Sequence, residues 1–229
     1  MRWGRAAERQ DAIRILGLAP ERVAAIYPGV TDSFFSVPAE AVRSVRERHG
    51  LRRDYALFVG TIEPRKNVGA LLDAYAALSE AARGEFDLVV AGPAGWQDQA
   101  TLDRLQSGAR GVRYLGYVPE ADLPGLTAGA TVFLYPSLYE GFGFPLAQAM
   151  AAGVPAITSN VSSMPEIAAG AALLVEPRSC DGIRAAMERL LSSAELRATL
   201  SRAGRKQAER YRWEVCARES LEFFRRVAG

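Results

Sequence analysis

The sequence predicts an α/β protein built on an open, doubly wound parallel sheet. Six short apolar runs recur from Tyr55 onward: YALFVG (55–60), FDLVVAG (86–92), VRYLGY (112–117), TVFLYPS (131–137), VPAITS (154–159) and AALLVEP (171–177). They are near-continuously apolar rather than alternating, which is the texture of strands buried on both faces. Amphipathic helical segments such as 68–81 stand between them, so right-handed βαβ crossovers are the natural connection. Beyond Glu176 the chain reads as helix to its end, over 181–192, 195–210 and 213–227. The last of these has Trp213, Leu221, Phe223 and Phe224 to bury, and these helices are expected to pack back on the sheet.

The segment before Tyr55 has a different texture. Residues 1–17 read as a short amphipathic helix with Ala6, Ile13 and Leu16 among charges. RVAAIYPGV (22–30) reads as a strand broken at Pro28-Gly29, with no following helix of its own. Residues 38–49 form a charged helix that begins at Pro38, as proline at a first helical position favours. No repeat or low-complexity linker interrupts the chain.

Composition removes several classes of function. The 229 residues are 49% hydrophobic and 24% charged, enough apolar side chain to close a core and too much for a disordered or fibrous chain. Lys and Arg number 28 against 26 Asp and Glu, so no one-signed field draws nucleic acid or anionic lipid, and any anion site must be local. Cys180 and Cys216 have neither disulfide-framework nor zinc spacing, which fits a reducing cytoplasm. A single histidine, His49, excludes His-rich metal sites and leaves it the sole candidate for a Ser-His or Cys-His pair. No stretch approaches a membrane span and MRWGRAAERQDAIR lacks the apolar middle of a signal peptide, so the expectation is a soluble, cytoplasmic protein.

In open α/β sheets ligands sit beyond the carboxyl ends of the strands, and two of those loops carry chemistry. VGTIEPRKN (59–67) turns through Pro64 and delivers Arg65, Lys66 and Asn67 to the start of a helix, where cations and free amides suit phosphate. Only Lys66 and Lys206 are lysines, so a compact point charge stands beside the planar fork of Arg65 in an otherwise arginine-rich chain. The alternative is a solvated turn, although cations at a helix start oppose its dipole. PSLYEGFGFPLAQAMAAGVP (136–155) is a strand end, a Gly-x-Gly loop and a helix with Pro145 in its first turn. Gly141 and Gly143 permit positive φ and close approach of backbone amides to a phosphate or sugar hydroxyl. Leu146 breaks the dinucleotide fingerprint G-x-G-x-x-G, and no Walker motif occurs. Glu140 has an alternative reading as a capping box from Ser137, which the glycines and Pro145 disfavour; Glu166 fits a capping box from Ser163 better than a site role. No D-x-D stands ready for a metal on a diphosphate, so neutralisation falls to Arg65, Lys66 and amides. No metal ligand is assigned.

On these residues the sequence resembles the donor-binding half of the retaining GT-B glycosyltransferases, the group 1 family. IYPGVTDSFF (26–35), FVGTIEPRKN (58–67), VVAGPAGW (89–96), LGYVPEADLPGLTAGATVFLYPSLYEGFGFP (115–145), GVPAITSNVSSMPEIAAGAALLVEP (153–177) and YRWEVCARESLEFF (211–224) follow in family order. The resemblance implies a Rossmann-like sheet forming the C-terminal half of a GT-B fold, with extra C-terminal helices. Residues 1–37 would be the remnant and linker of an acceptor-binding domain, and 38–229 the nucleotide-sugar domain. Arg65, Lys66 and Glu140 take the catalytic positions; Gly60, Tyr117, Val118, Ser137, Gly141, Phe142, Gly143, Phe144 and Gln148 take the donor-binding ones, with Tyr117 to Pro119 bordering the base. Gln148 stands where the family usually has a second glutamate on the ribose; an amide still donates and accepts there.

The implied reaction is retaining hexosyl transfer from a nucleotide-diphosphate sugar, GDP-mannose favoured because EPRKN after VGT is mannosyltransferase-like. It needs no cofactor beyond that co-substrate and no nucleic acid. An acceptor-binding domain, in cis or as a separate chain, would complete the cleft and carry any peripheral membrane contact; without it the chain should transfer weakly or not at all. The rival readings are a non-catalytic nucleotide or sugar-phosphate binding module and, with less support, a GT-B sugar epimerase.

Overall fold

A computed structural model describes residues 2–3 and 6–228. The N-terminal segment folds apart from the main sheet: β1 (Arg2–Trp3) pairs in parallel with β2 (Ala24–Ala25), joined through α1 (Ala6–Leu16). The first predicted helix is thus shortened at its start. Met1, Gly4, Arg5 and the side chain of Ala6 lie outside the described residues. Among its described apolar side chains, Ile13 is half-buried and Leu16 53% exposed. The predicted strand over 22–30 contracts to two residues and continues as extended chain to a bridge between Val30 and Arg212. Pro38 is the N-cap of α2 (Ala39–Arg48), one position earlier than expected.

The main sheet has six parallel strands: β3 (Asp54–Val59), β4 (Phe86–Ala91), β5 (Val112–Gly116), β6 (Val132–Tyr135), β7 (Ala156–Ser159) and β8 (Ala172–Val175). Their spatial order is β5-β4-β3-β6-β7-β8. All six predicted runs are strands, but not all are equally covered. β4, β6 and β7 are buried at every residue, whereas β5 and β8 are only partly so. These two are the sheet's edges, with a neighbour on one side only.

Around the sheet stand α3 (Val68–Ala76), α4 (Glu80–Glu85), α5 (Gln99–Gln106), α6 (Leu123–Ala128), α7 (Phe144–Ala151), α8 (Met164–Ala168), α9 (Cys180–Ser192), α10 (Ala194–Ala208) and α11 (Trp213–Ala228). Serines start two of the long ones: Ser179 Oγ accepts from Gly182 N–H and Ser193 Oγ from Leu196 N–H, satisfying amides that have no partner inside the helix. The core is rich in tyrosine, and each buried hydroxyl finds an acceptor: Tyr55 on Leu126 O at 2.6 Å, Tyr75 on Phe86 O at 2.8 Å and Tyr211 on Ile167 O at 2.9 Å.

The C-terminal helices divide. α9 packs on α3 and α10 on α7, where Arg205 Nη2 donates to Ala152 O at 2.9 Å beyond the end of α7. α11 corrects the expectation that it packs on the sheet. Its Cys216 and Phe223 are buried with Ile26 in a small separate cluster on the β2 segment. Its apolar face is wider than that cover, so Trp213, Leu221 and Phe224 stay 52%, 49% and 57% exposed.

Candidate functional site

Chain order reverses in the sheet between β3 and β6, because β4 and β5 lie on one side and β7 and β8 on the other. At such a switch point the loops leaving two adjacent strands diverge to opposite faces and open a crevice. The loops that open it here are the two singled out in the sequence, and their charged side chains meet within it.

Pro64–Lys66 forms one turn of 3-10 helix after β3, followed by Asn67 in the left-handed region. The Asn67 amide ties this turn down, donating to Pro136 O at 3.0 Å and Pro177 O at 2.6 Å. Leu138 N–H donates to Arg65 O at 2.8 Å, joining the turn to the loop after β6. Lys66 is therefore not in a solvated turn. It is 7% exposed, and its Nζ donates to Glu140 Oε1 and to the Tyr135 hydroxyl, each at 2.6 Å. Tyr135 donates in turn to Glu140 Oε1 at 2.8 Å, and Arg65 Nη1 to Glu140 Oε2 at 2.9 Å. Burial raises the Glu140 carboxyl, but the Lys66 ammonium and the hydrogen bonds from it and Tyr135 outweigh that and hold it below its ordinary value. Burial and the neighbouring Glu140 push the Tyr135 phenol well above its own, so it remains a donor.

The remaining predicted residues fall around this cluster. Gly60 lies against the Lys66 stem, where a Cβ would stand 3.7 Å from Cε. Ser137 is wholly buried beside Tyr135 and Glu140. Gly143 caps α7 at φ 86°, and a Cβ there would stand 2.3 Å from Met164 Cε, so both backbone and space require glycine. Gly141 needs neither: its φ is not positive and its missing side chain faces open space. Phe144 is 43% exposed at the first turn of α7, with Gln148 half-buried one turn on. Tyr117 projects at the end of β5, 70% exposed. Two predicted donor-binding side chains turn inward instead. Val118 is 5% exposed within the main core, and Phe142 is wedged between Tyr27 and Tyr211, with ring centroids 6.1 and 5.4 Å away. Apolar side chains gain more from that cover than from a wet crevice, so at these positions only the backbone is left for a ligand.

The capping boxes do not form. No helix runs through 138–143, and Ser163 makes no side-chain cap on α8. Ser163 Oγ donates instead to Glu140 O at 3.0 Å, while Glu166 accepts from the Tyr27 hydroxyl, fixing the 26–30 segment against α8.

Several side chains that build the site carry no motif of their own in the sequence. Tyr135 belongs there only to the strand run TVFLYPS. Ser162 grips Glu140 at both main-chain atoms, accepting from its N–H at 3.0 Å and donating to its carbonyl at 2.7 Å. Glu63, 7% exposed, forms an ion pair with Arg65 Nη2 at 2.6 Å and accepts from the Trp96 indole N–H at 3.0 Å. The signals are an acid separated from the basic pair only by Pro64 in IEPRKN and the serine pair in NVSSMPE. Among the described residues no cluster of three or more His, Cys, Asp or Glu is arranged to hold a metal ion, and no helix is long and apolar enough to cross a membrane.

Comparison with known proteins follows the same lines. The sequence model of the family described as Glycosyl transferases group 1 matches residues 43–207. The O-antigen chain mannosyltransferase B of Escherichia coli is 36% identical over 220 residues, which span 95% of this chain and 58% of that protein. The serotype-specific mannosyltransferase WbdA of Escherichia coli is 28% identical over 224 residues, 95% of this chain and 28% of its own length. Among solved structures, Anabaena HepE in complex with UDP and glucose superposes with a TM-score of 0.83 at 18% identity, covering 96% of this chain and 61% of that one. WaaG, a glycosyltransferase involved in lipopolysaccharide biosynthesis, gives 0.81 at 20% identity over 100% and 62%. These two share the fold.

Proposed function

The chain belongs to the glycosyl transferases group 1 family, and on that premise we propose that it is the nucleotide-sugar domain of a retaining hexosyltransferase, with GDP-mannose as donor. The observation that carries this is the convergence of Arg65 and Lys66 on Glu140 across the switch point, at 2.9 and 2.6 Å. Mannosyltransferases among the relatives support the sugar.

Arg65 and Lys66 bind the diphosphate. Lys66 uses two of its three N–H bonds on Tyr135 and Glu140, leaving one for a phosphate oxygen. The amides of 141–144 and the N-terminus of α7 add partial positive charge at the same place. Glu140, ionised by its partners, orients the sugar hydroxyls. In the transfer, the bond from the anomeric carbon to the β-phosphate oxygen breaks while the acceptor oxygen bonds on the same face. The acceptor proton passes to the departing phosphate, so no side-chain base is required and charge builds where the cations stand. An acceptor-binding domain closing over the crevice, in cis or as a separate chain, excludes water and strengthens those interactions. Neutralisation by Arg65, Lys66 and amides supports a reaction without a metal ion.

Calorimetric titration with GDP, UDP and ADP tests the reading. GDP should bind most tightly, and Lys66→Ala or Glu140→Ala should weaken it at least about tenfold, equivalent to about 1.4 kcal/mol. No binding of any nucleoside diphosphate to the native chain refutes it. With an acceptor-binding partner present, nucleotide-sugar consumed only when acceptor is added rules out a non-catalytic binding module.

A further inference from the structure

Trp96, in the loop after β4, is 60% exposed although an indole is among the side chains that gain most from cover. Its polar edge is anchored to the buried Glu63, whose other oxygen holds Arg65. The backbone beneath it is equally fixed. Ile62 N–H donates to Pro93 O and Gly95 N–H to Ile62 O, both at 3.0 Å, and Ile62 bridges Ala94 in parallel. A Cβ on Gly92 would stand 1.9 Å from Gly60 O, so this loop lies directly on the one that carries the cations. A rigidly held indole with its N–H satisfied and most of its ring surface in water is built to receive a flat partner.

We infer that Trp96 is the stacking platform for the base of a nucleoside diphosphate. This deepens, and rests on, the donor site proposed above. Strand order fixes the side on which the base lies. β3 carries the two cations, β6 on one flank carries Glu140 and the Gly-x-Gly loop, and β4 on the other flank carries Trp96, with Tyr117 one strand further on β5. A ligand whose diphosphate lies over β3 and whose sugar lies toward β6 extends its nucleoside toward β4. One carboxylate, Glu63, meets the indole N–H at 3.0 Å and Arg65 Nη2 at 2.6 Å, so the indole stands within one nucleoside length of Arg65. Stacking on an aromatic face accepts any base, because each has a π-face. The platform therefore separates nucleoside diphosphates from bare pyrophosphate and leaves the choice of base to other contacts.

Intrinsic tryptophan emission and calorimetry, run on the native chain, Trp96→Ala and Trp96→Phe with GDP, UDP and inorganic pyrophosphate as probes, test this. GDP should change the emission of the native chain and not of either variant. Trp96→Ala should weaken GDP and UDP by about tenfold and leave pyrophosphate unchanged, with Trp96→Phe close to native. Equal GDP affinity in native chain and Trp96→Ala overturns the platform while the cation site stands. Equal weakening of GDP and pyrophosphate also overturns it, since Trp96 would then act only through Glu63 on Arg65. Failure of the native chain to bind GDP and pyrophosphate alike removes the donor site itself, and the platform with it.

Discussion

Lys66→Met, which keeps the length and apolar stem of the side chain and deletes its charge, is the most informative single change. Glu140 would remain 6% exposed with one cationic partner, Arg65, whose own side chain is 43% exposed and also engaged by Glu63. Breaking a buried pair on one side costs about 3–5 kcal/mol, because the surviving charge stays desolvated. For a chain of this size that is a fall in melting temperature of roughly 6–20 °C. The pH dependence separates this cause from simple loss of packing. In the native chain the Glu140 carboxyl sits below its ordinary value of 4.5, so its contribution is present above that pH and is lost as pH falls through the depressed value. In Lys66→Met burial is less opposed and the carboxyl moves upward. The protonated acid is then the favoured buried form, and stability is lost as pH rises through the raised value. The gap between native and variant should narrow from pH 7 toward pH 4. Urea unfolding followed by circular dichroism at both pH values measures it, and the double variant Lys66→Met/Glu140→Gln should recover most of the loss at pH 7. A loss under about 1 kcal/mol at pH 7, or a double variant no more stable than Lys66→Met, would show that the pair is not desolvated as described.

Tyr135→Phe removes one donor to Glu140 and one acceptor from Lys66, and should cost about 1–3 kcal/mol in urea unfolding. Gly143→Val meets both a φ of 86° and the Met164 methyl at 2.3 Å, and should destabilise by at least about 1–3 kcal/mol, with GDP affinity falling in the same preparation. Phe223→Ala should cost about 3–5 kcal/mol in a thermal melt and Phe224→Ala within about 0.5 kcal/mol, because the first is 7% and the second 57% exposed; equal effects would refute the packing assigned to α11.

The sheet was legible because strands buried on both faces are written as uninterrupted apolar runs, and loops at their carboxyl ends follow once the runs are placed. That Arg65, Lys66 and Glu140 would face one crevice was legible because charge in the loops after such runs has few structural uses. What the sequence concealed depended on three-dimensional neighbours. Tyr135 has the letters of a strand residue, and its role comes from a hydroxyl that reaches two residues from two loops. Glu166 sits where a capping box would place it, yet Tyr27, 139 residues earlier, outcompetes the local amide. Val118 and Phe142 lie in site-forming segments, but an apolar side chain there follows the core and leaves its backbone at the rim. α11 carried the periodicity of a core helix, and periodicity does not say which surface will cover it.

The grip of Ser162 on both main-chain atoms of Glu140 has a bearing on engineering. The conformation of the Gly-x-Gly loop is set in part by a turn more than twenty residues downstream, just after the next strand of the sheet. Transplanting residues 136–145 alone into another scaffold would carry the sequence of the loop without the brace that shapes it, and such a chimera should regain its geometry only when the 161–163 turn travels with it.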